Sequence, residues 1–229
     1  AITLEEMLLR NGHEVVEVLV GKSSTRTLPG FFNRSIHAPV KRFISPNFLP
    51  TADNKRANLT KSFAYNLLRL PEYLRSMYYI NQRIRETGAE VVINFYELLT
   101  GLTYALFRPS VPYICVGHQY LFLHRDFEFP DKNSCQLWML RFFTRMTALR
   151  SSKKLALSFL EMEQDDMNQI VTVPPLIRQE VTAIRPEKGD YIHGYMVNSG
   201  FADSVESFHA KHPEVPLTFF WDRSDAEEV

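Results

Sequence analysis

VVINFYELLTGLTYALFRPSVPYICVGHQYLFLH, residues 91–124, is the stretch on which the reading of this chain turns. Two apolar runs, Val91 to Phe95 and Val111 to Val116, are rich in β-branched and aromatic residues and stand either side of a segment of helix length. Strands buried on both faces read as continuous apolar runs, so the pattern predicts a βαβ unit in a parallel sheet. The first run ends in Tyr96-Glu97 and the second in Gly117-His118-Gln119, which puts polar side chains where each strand stops. In open parallel sheets ligands bind beyond the carboxyl ends of the strands, where loops and helix N-termini converge. Part of any site is therefore expected here.

Working outward toward the C-terminus, Leu121 to Lys132 reads as an aromatic and charged loop, Asn133 to Ser151 as an amphipathic helix, and Lys154 to Phe159 and Val171 to Pro175 as further strand. The amphipathic helix carries Leu137, Trp138, Leu140, Phe142, Phe143 and Met146. Residues 174–189, polar and punctuated by Pro186 and Gly189, read as an interdomain linker. A strand at Tyr191 to Val197, a turn at Asn198-Ser199-Gly200, a helix from Phe201 to His212 and a strand from Pro216 to Trp221 make a second βαβ unit. Toward the N-terminus, helical periodicity from Leu59 to Glu86 is broken at Pro71, which closes one helix and opens the next. Residues 22–58 carry four prolines and read mostly as loop with one short strand near Lys41 to Ile44. A strand is expected over His13 to Val20, preceded by a short helix with a capping box at Thr3-Leu-Glu-Glu6. The expected fold is α/β: a Rossmann-like parallel sheet over 1–173, the linker, and the opening of a second Rossmann-like domain over 190–229.

Composition sets the outer limits. The 229 residues hold 26 basic and 26 acidic side chains, so the whole chain gives no reason to expect a nucleic-acid partner. Two cysteines offer no disulfide framework and suit a reducing compartment. No apolar run approaches the roughly 20 residues of a membrane span, and no signal peptide is visible, although a start at Ala1 suggests a processed or truncated N-terminus. Charge is unevenly spread. From Ala1 to Arg85 thirteen Lys and Arg stand against six acidic residues, interleaved with aromatics such as Phe31, Phe43, Tyr73 and Tyr78. That surplus suits anionic lipid headgroups or phosphorylated ligands. Solvated helix faces over core aromatics would give the same pattern.

Candidate site residues follow from their places. His118 and Gln119 sit at a strand terminus, where an imidazole can serve as general base or donate to a phosphate. Glu97, after Tyr96, can accept from a sugar hydroxyl, although a helix N-terminus favours Glu for dipole reasons alone. Asn198, Ser199 and Gly200 follow a strand and open a helix, an arrangement that presents backbone N–H groups to an anion and that ordinary strand-to-helix turns share. His124 and Asp126 lie close together without a serine in a nucleophile-elbow context, so a hydrolase triad has no support. His209 and His212 are spaced i, i+3, but no third ligand accompanies them, and no metal site is expected.

Together, EMLLRNGH (6–13), VINFYEL (92–98), VGHQ (116–119), VPPLIR (173–178), YMVNSGFA (195–202) and HPEVPLTFFWD (212–222) resemble bacterial GT-B glycosyltransferases. The resemblance is to the family-one-like group and, more distantly, to the transferase that adds N-acetylglucosamine to the lipid-linked peptidoglycan precursor. It implies two Rossmann-like domains, the first taking the acceptor and the second a nucleotide sugar, UDP-linked by expectation, with no other cofactor. His118 and Glu97 match the catalytic candidates, Tyr96, Gln119 and His124 the acceptor side, and Asn198, Ser199 and Gly200 the donor-diphosphate turn. The family's first strand with its glycine-rich turn would precede Ala1, and the later donor segments would follow Val229, so little activity is expected of this chain alone. The implied mechanism is metal-independent transfer to a glycan or lipid-linked acceptor, in a cytoplasmic protein that touches the inner membrane through its basic first third. A GT-B sugar-nucleotide epimerase and a non-catalytic ligand-binding module are the alternatives.

Overall fold

The computed structural model describes residues 1–22, 28–49, 51, 58–129, 135–196 and 199–221. In chain order the first half runs α1 (Ile2–Arg10), β1 (Val18–Lys22), α2 (Gly30–Ser35), β2 (Val40–Ile44), α3 (Leu59–Leu68), α4 (Leu70–Glu86), β3 (Val92–Asn94) and α5 (Leu98–Phe107). There follow β4 (Tyr113–Val116), a 3₁₀ helix at His118–Leu123, α6 (Cys135–Thr147), β5 (Lys153–Leu157), β6 (Ile170–Val173) and α7 (Gln179–Ala183). The chain closes with β7 (Ile192–Met196), a 3₁₀ turn at Ser199–Phe201, α8 (Ala202–Lys211) and β8 (Leu217–Trp221). Two compact units result, one of residues 1–46 and 69–182 and one of 47–68 and 183–229.

In the first unit β3, β4, β5 and β6 lie side by side in chain order, all parallel, and β1 pairs with β2 in a separate parallel ribbon. This is the α/β, parallel-strand architecture that residues 91–124 predict. Tyr113 and Cys115 of β4 are wholly buried, as a strand covered on both faces requires. Helix α4 packs Tyr73, Met77, Ile80 and Ile84 onto the same core as Leu99, Tyr104, Tyr120, Ala156 and Ile170. Those four positions follow an i, i+4, i+7, i+11 stripe, the spacing of one helical face.

Several local expectations need correcting. α1 has no capping box: its N-cap is Ala1, with no side-chain hydrogen bond. Glu5 instead turns inward and accepts from the backbone N–H groups of His37 (3.0 Å) and Ala38 (2.8 Å), donors that the extended exit from α2 leaves without a helical partner. Strand β1 begins at Val18, not His13, and just before it Glu17 is buried between Arg83 (2.8 Å) and Lys41 (2.7 Å), which tie α4 and β2 to that point. The stretch read as loop after Lys22 contains α2, whose Gly-Phe-Phe-Asn-Arg-Ser sequence has no apolar period to announce it. Residues 179–183 of the expected linker are helical, and 47–68 cluster with the second unit instead of the first.

In the second unit β7 and β8 pair in parallel from Ile192↔Leu217 to Met196↔Trp221 with α8 between them in sequence, the βαβ connection expected. Helix α3 is tied to the segment before it: the Ser62 hydroxyl donates to the Asn58 carbonyl (2.6 Å) and accepts from Leu49 N–H (2.8 Å), and the Asn66 amide donates to the Asn47 carbonyl (2.9 Å). Among the described residues no helix is long and apolar enough to cross a membrane.

Candidate functional site

At the carboxyl end of β3 the chain must turn sharply into α5, and Asn94 organises the turn. Its side chain is buried; Oδ1 accepts from Glu97 N–H (2.9 Å), and Nδ2 donates to the carbonyls of Glu97 (3.1 Å) and Thr147 (2.9 Å). That closure holds Tyr96 at φ +61°, a left-handed conformation that is an outlier for a bulky side chain and whose strain the surrounding bonds must offset. Tyr96 Oη donates to Thr144 Oγ1 (2.8 Å), because the Thr144 proton is already given to the Leu140 carbonyl.

Glu97 caps α5, its carboxylate accepting from Leu99 N–H (3.1 Å) and from the Ser45 hydroxyl at the end of β2 (2.8 Å). Burial pushes its carboxyl above the ordinary range, and the bonds from Leu99, Ser45 and Leu98 oppose that shift without cancelling it. Space here is tight. A Cβ on Gly21 would lie 2.8 Å from Ser45 Cβ and 2.9 Å from Glu97 Oε2, so a glycine in β1 is what lets the carboxylate reach Ser45.

One strand over, β4 is followed by Gly117, which is stitched to β5 by Gly117 N–H to the Leu155 carbonyl (3.1 Å) and by Leu157 N–H to the Gly117 carbonyl (3.4 Å). His118 therefore emerges at a fixed point. Its ring is exposed, and Nδ1 lies 2.9 Å from the Leu157 carbonyl. A carbonyl can only accept, so Nδ1 carries the proton and Nε2, without a partner among the described residues, presents its lone pair outward. Gln119 follows, partly buried, and Tyr120 is wholly buried with its hydroxyl 3.1 Å from Thr147 Oγ1. The Tyr96 and Tyr120 rings meet edge to face at 5.7 Å, so the Glu97 loop and the His118 loop lean on each other and on α6.

His124 has a different environment. It is buried, Nε2 donates to the Glu163 carbonyl (2.8 Å) and Nδ1 accepts from Asp126 N–H (3.2 Å), so both ring nitrogens serve the loop. Beside it, fully buried Asp165 accepts from Arg125 N–H (3.0 Å), Asn168 N–H (3.1 Å) and the Asn168 side chain (2.7 Å). Burial alone would raise the Asp165 carboxyl; the bonds from Asn168 and Arg125 outweigh it and hold the group below its ordinary range. In the second unit Asn198 lies outside the described residues, and Ser199 and Gly200 form the 3₁₀ turn that leads into α8.

Of the residues picked out by sequence, the structure gathers Tyr96, Glu97, His118 and Gln119 at one end of one sheet. Sequence reasoning missed Asn94, Ser45, Gly21 and Thr144. An Asn three residues before a helix-capping Glu is a turn signal that would have found Asn94; Ser45 stands 52 positions from Glu97 and nothing local announces it. Of the thirteen cations counted in the first third, Lys41 and Arg83 neutralise Glu17 and Arg69 pairs with Glu72, while Arg26, Lys55 and Arg56 lie outside the described residues. Among the described residues no group of three His, Cys, Asp or Glu is placed to hold a metal ion. Among curated proteins none matches the chain. A family model described as glycosyl transferase family 1 matches residues 3–223.

Proposed function

The chain belongs to glycosyl transferase family 1, and we propose that it serves transfer of a sugar from a nucleotide-sugar donor to an acceptor hydroxyl, with His118 as general base. The observation that carries this reading is the His118 ring, exposed at the carboxyl end of β4, with Nδ1–H tied to the Leu157 carbonyl and Nε2 left as a proton acceptor. The acceptor hydroxyl gives its proton to Nε2 as its oxygen attacks the anomeric carbon; the bond to the nucleoside diphosphate breaks, and that group leaves with the electron pair.

Glu97 contributes by holding the neighbouring strand exit in place and keeping a buried carboxyl next to it. Tyr96 and Gln119 flank the two exits on the acceptor side, and His124 supports the loop behind them from its buried position. The donor diphosphate is assigned to the turn before α8, through Asn198, Ser199 and Gly200, where helix N-terminal amides favour an anion. We assign UDP as the nucleotide and a glycan or lipid-linked alcohol as the acceptor.

Calorimetric titration of UDP and UDP-N-acetylglucosamine into the protein, unsubstituted and with Gly200→Pro, tests the donor assignment. Saturable binding of both ligands, lost on blocking the Gly200 amide while His118→Ala leaves it intact, is the expected result. Binding that survives Gly200→Pro in a folded protein would show that the donor does not use this turn.

A further inference from the structure

Helix α6 is built the wrong way round for a solvent-covered helix. Its inward face includes Thr144 and Thr147, both wholly buried, whose hydroxyls meet those of Tyr96 and Tyr120. Its outward face carries Trp138 at 63% exposure, Phe142 at 49% and Met139, with Trp138 and Phe142 stacked one turn apart at 5.4 Å and 8°. A helix that buries two threonines beside Leu137 and shows water a tryptophan, a phenylalanine and a methionine has an apolar face that nothing among the described residues covers.

The charge beside that face has one sign. Arg141 and Arg145 follow the apolar positions along α6, and from Lys132 to Leu160 the sequence has six Lys and Arg and no Asp or Glu. Neither exposed Arg145 nor Arg141, which is half-buried with its Nε enclosed and unpartnered, has an acidic partner among the described residues. We propose that the outward face of α6 docks on an anionic lipid surface, lying in the headgroup plane with Trp138, Met139 and Phe142 in the acyl boundary and Arg141 and Arg145 against lipid phosphates.

Two other occupants fit less well. A second copy of the chain, set face to face about a two-fold axis, would bring these arginines against their own equivalents with no carboxylate between them. An acidic protein partner would supply the charge, yet the apolar side chains here project outward and bring their own anchors, which suits a medium that yields to them. The surface differs from the basic first third of the chain, where Lys41, Arg69 and Arg83 are already paired. It also lies directly behind the candidate site, because the inward threonines of the same helix hold Tyr96 and Tyr120. The inference stands on α6 alone and does not need the transfer chemistry to be right.

The test uses Trp138 as its own reporter. The chain has two tryptophans, so Trp221→Phe leaves a single emitter. Sedimentation with phosphatidylglycerol and phosphatidylcholine vesicles is combined with emission spectra and with quenching by bromine-labelled acyl chains. The expected result is binding to phosphatidylglycerol over phosphatidylcholine that weakens as salt rises, a blue shift of Trp138, and quenching by the labelled chains. Arg141→Gln with Arg145→Gln should weaken binding roughly thirtyfold, and Phe142→Ser with Met139→Ser should do so by at least tenfold while circular dichroism stays unchanged. Quenching in the chain with α6 unaltered keeps the test valid if a variant misfolds. Absence of binding by the folded protein, binding without quenching, or a dimer whose formation buries Trp138 in lipid-free buffer would each overturn the proposal.

Discussion

His118 and Glu97 stand on neighbouring strand exits but answer to different physics. The imidazole is oriented by a main-chain carbonyl and faces outward, so His118→Ala should leave stability within about 0.5 kcal/mol, as for other exposed positions, while lowering transfer by roughly a hundred- to ten-thousand-fold. Comparison of turnover and denaturation for the same variant checks both halves. Glu97 is partly structural: Glu97→Ala removes a helix cap and leaves the Ser45 hydroxyl unpaired, a loss of about 1 to 3 kcal/mol in unfolding free energy. Asp165 gives a pH prediction. Its folded-state pKa lies below the ordinary 3.8, so its contribution is present above that value and is lost as pH falls through the depressed one. Acid unfolding followed by circular dichroism should show that Asp165→Asn flattens stability over this window; an unchanged acid limb would count against the hub described around Asn168 and Arg125. At this scale the sequence made the exits legible, because polar residues after apolar runs mark them. It hid Ser45 and Thr144, whose roles depend on partners about fifty positions away.

Elements were legible where period and punctuation agreed. Pro71 divides α3 from α4 as expected, and β3, α5 and β4 fall inside the stretch that predicts them. Helix α2 had no such signal. In α6 the amphipathic period is legible but the face it buries is not, because packing against Tyr96 and Tyr120 selects the side of Leu137, Thr144 and Thr147 and leaves Trp138 and Phe142 exposed. Where α5 crosses α6, a Cβ on Gly101 would overlap the Met146 carbonyl oxygen and come within 2.8 Å of the Thr147 backbone. Backbone cannot step aside as a side chain can, so Gly101→Ala should destabilise by about 3 kcal/mol, measured as a lowered denaturant midpoint. Glu17→Ala removes the carboxylate that Arg83 and Lys41 share where β1, β2 and α4 meet; Arg83 keeps Glu86 and Lys41 reaches solvent, so a loss of about 1 to 2 kcal/mol is expected. A change below 1 kcal/mol would mean that solvent reaches the cluster in the folded state.

For the whole molecule, chain order carried more information than any single motif. Each of the short segments that resemble GT-B glycosyltransferases is weak alone, yet they run in one order from residue 6 to 222, and the family match spans 3–223. The parallel order β3-β4-β5-β6 and the parallel β7–β8 pair are consistent with a Rossmann-like glycosyltransferase fold. The division into compact units was less legible, since residues 47–68 join the second unit through contacts that no composition shift marks. Donor-dependent transfer with His118 as the base is tested by incubating the protein with UDP-N-acetylglucosamine and a panel of other nucleotide sugars, with and without acceptor alcohols. Release of nucleoside diphosphate that requires an acceptor and disappears in a folded His118→Ala variant is the expected result. Conversion of a nucleotide sugar to an altered free nucleotide sugar without acceptor, or transfer undiminished by His118→Ala, would contradict it.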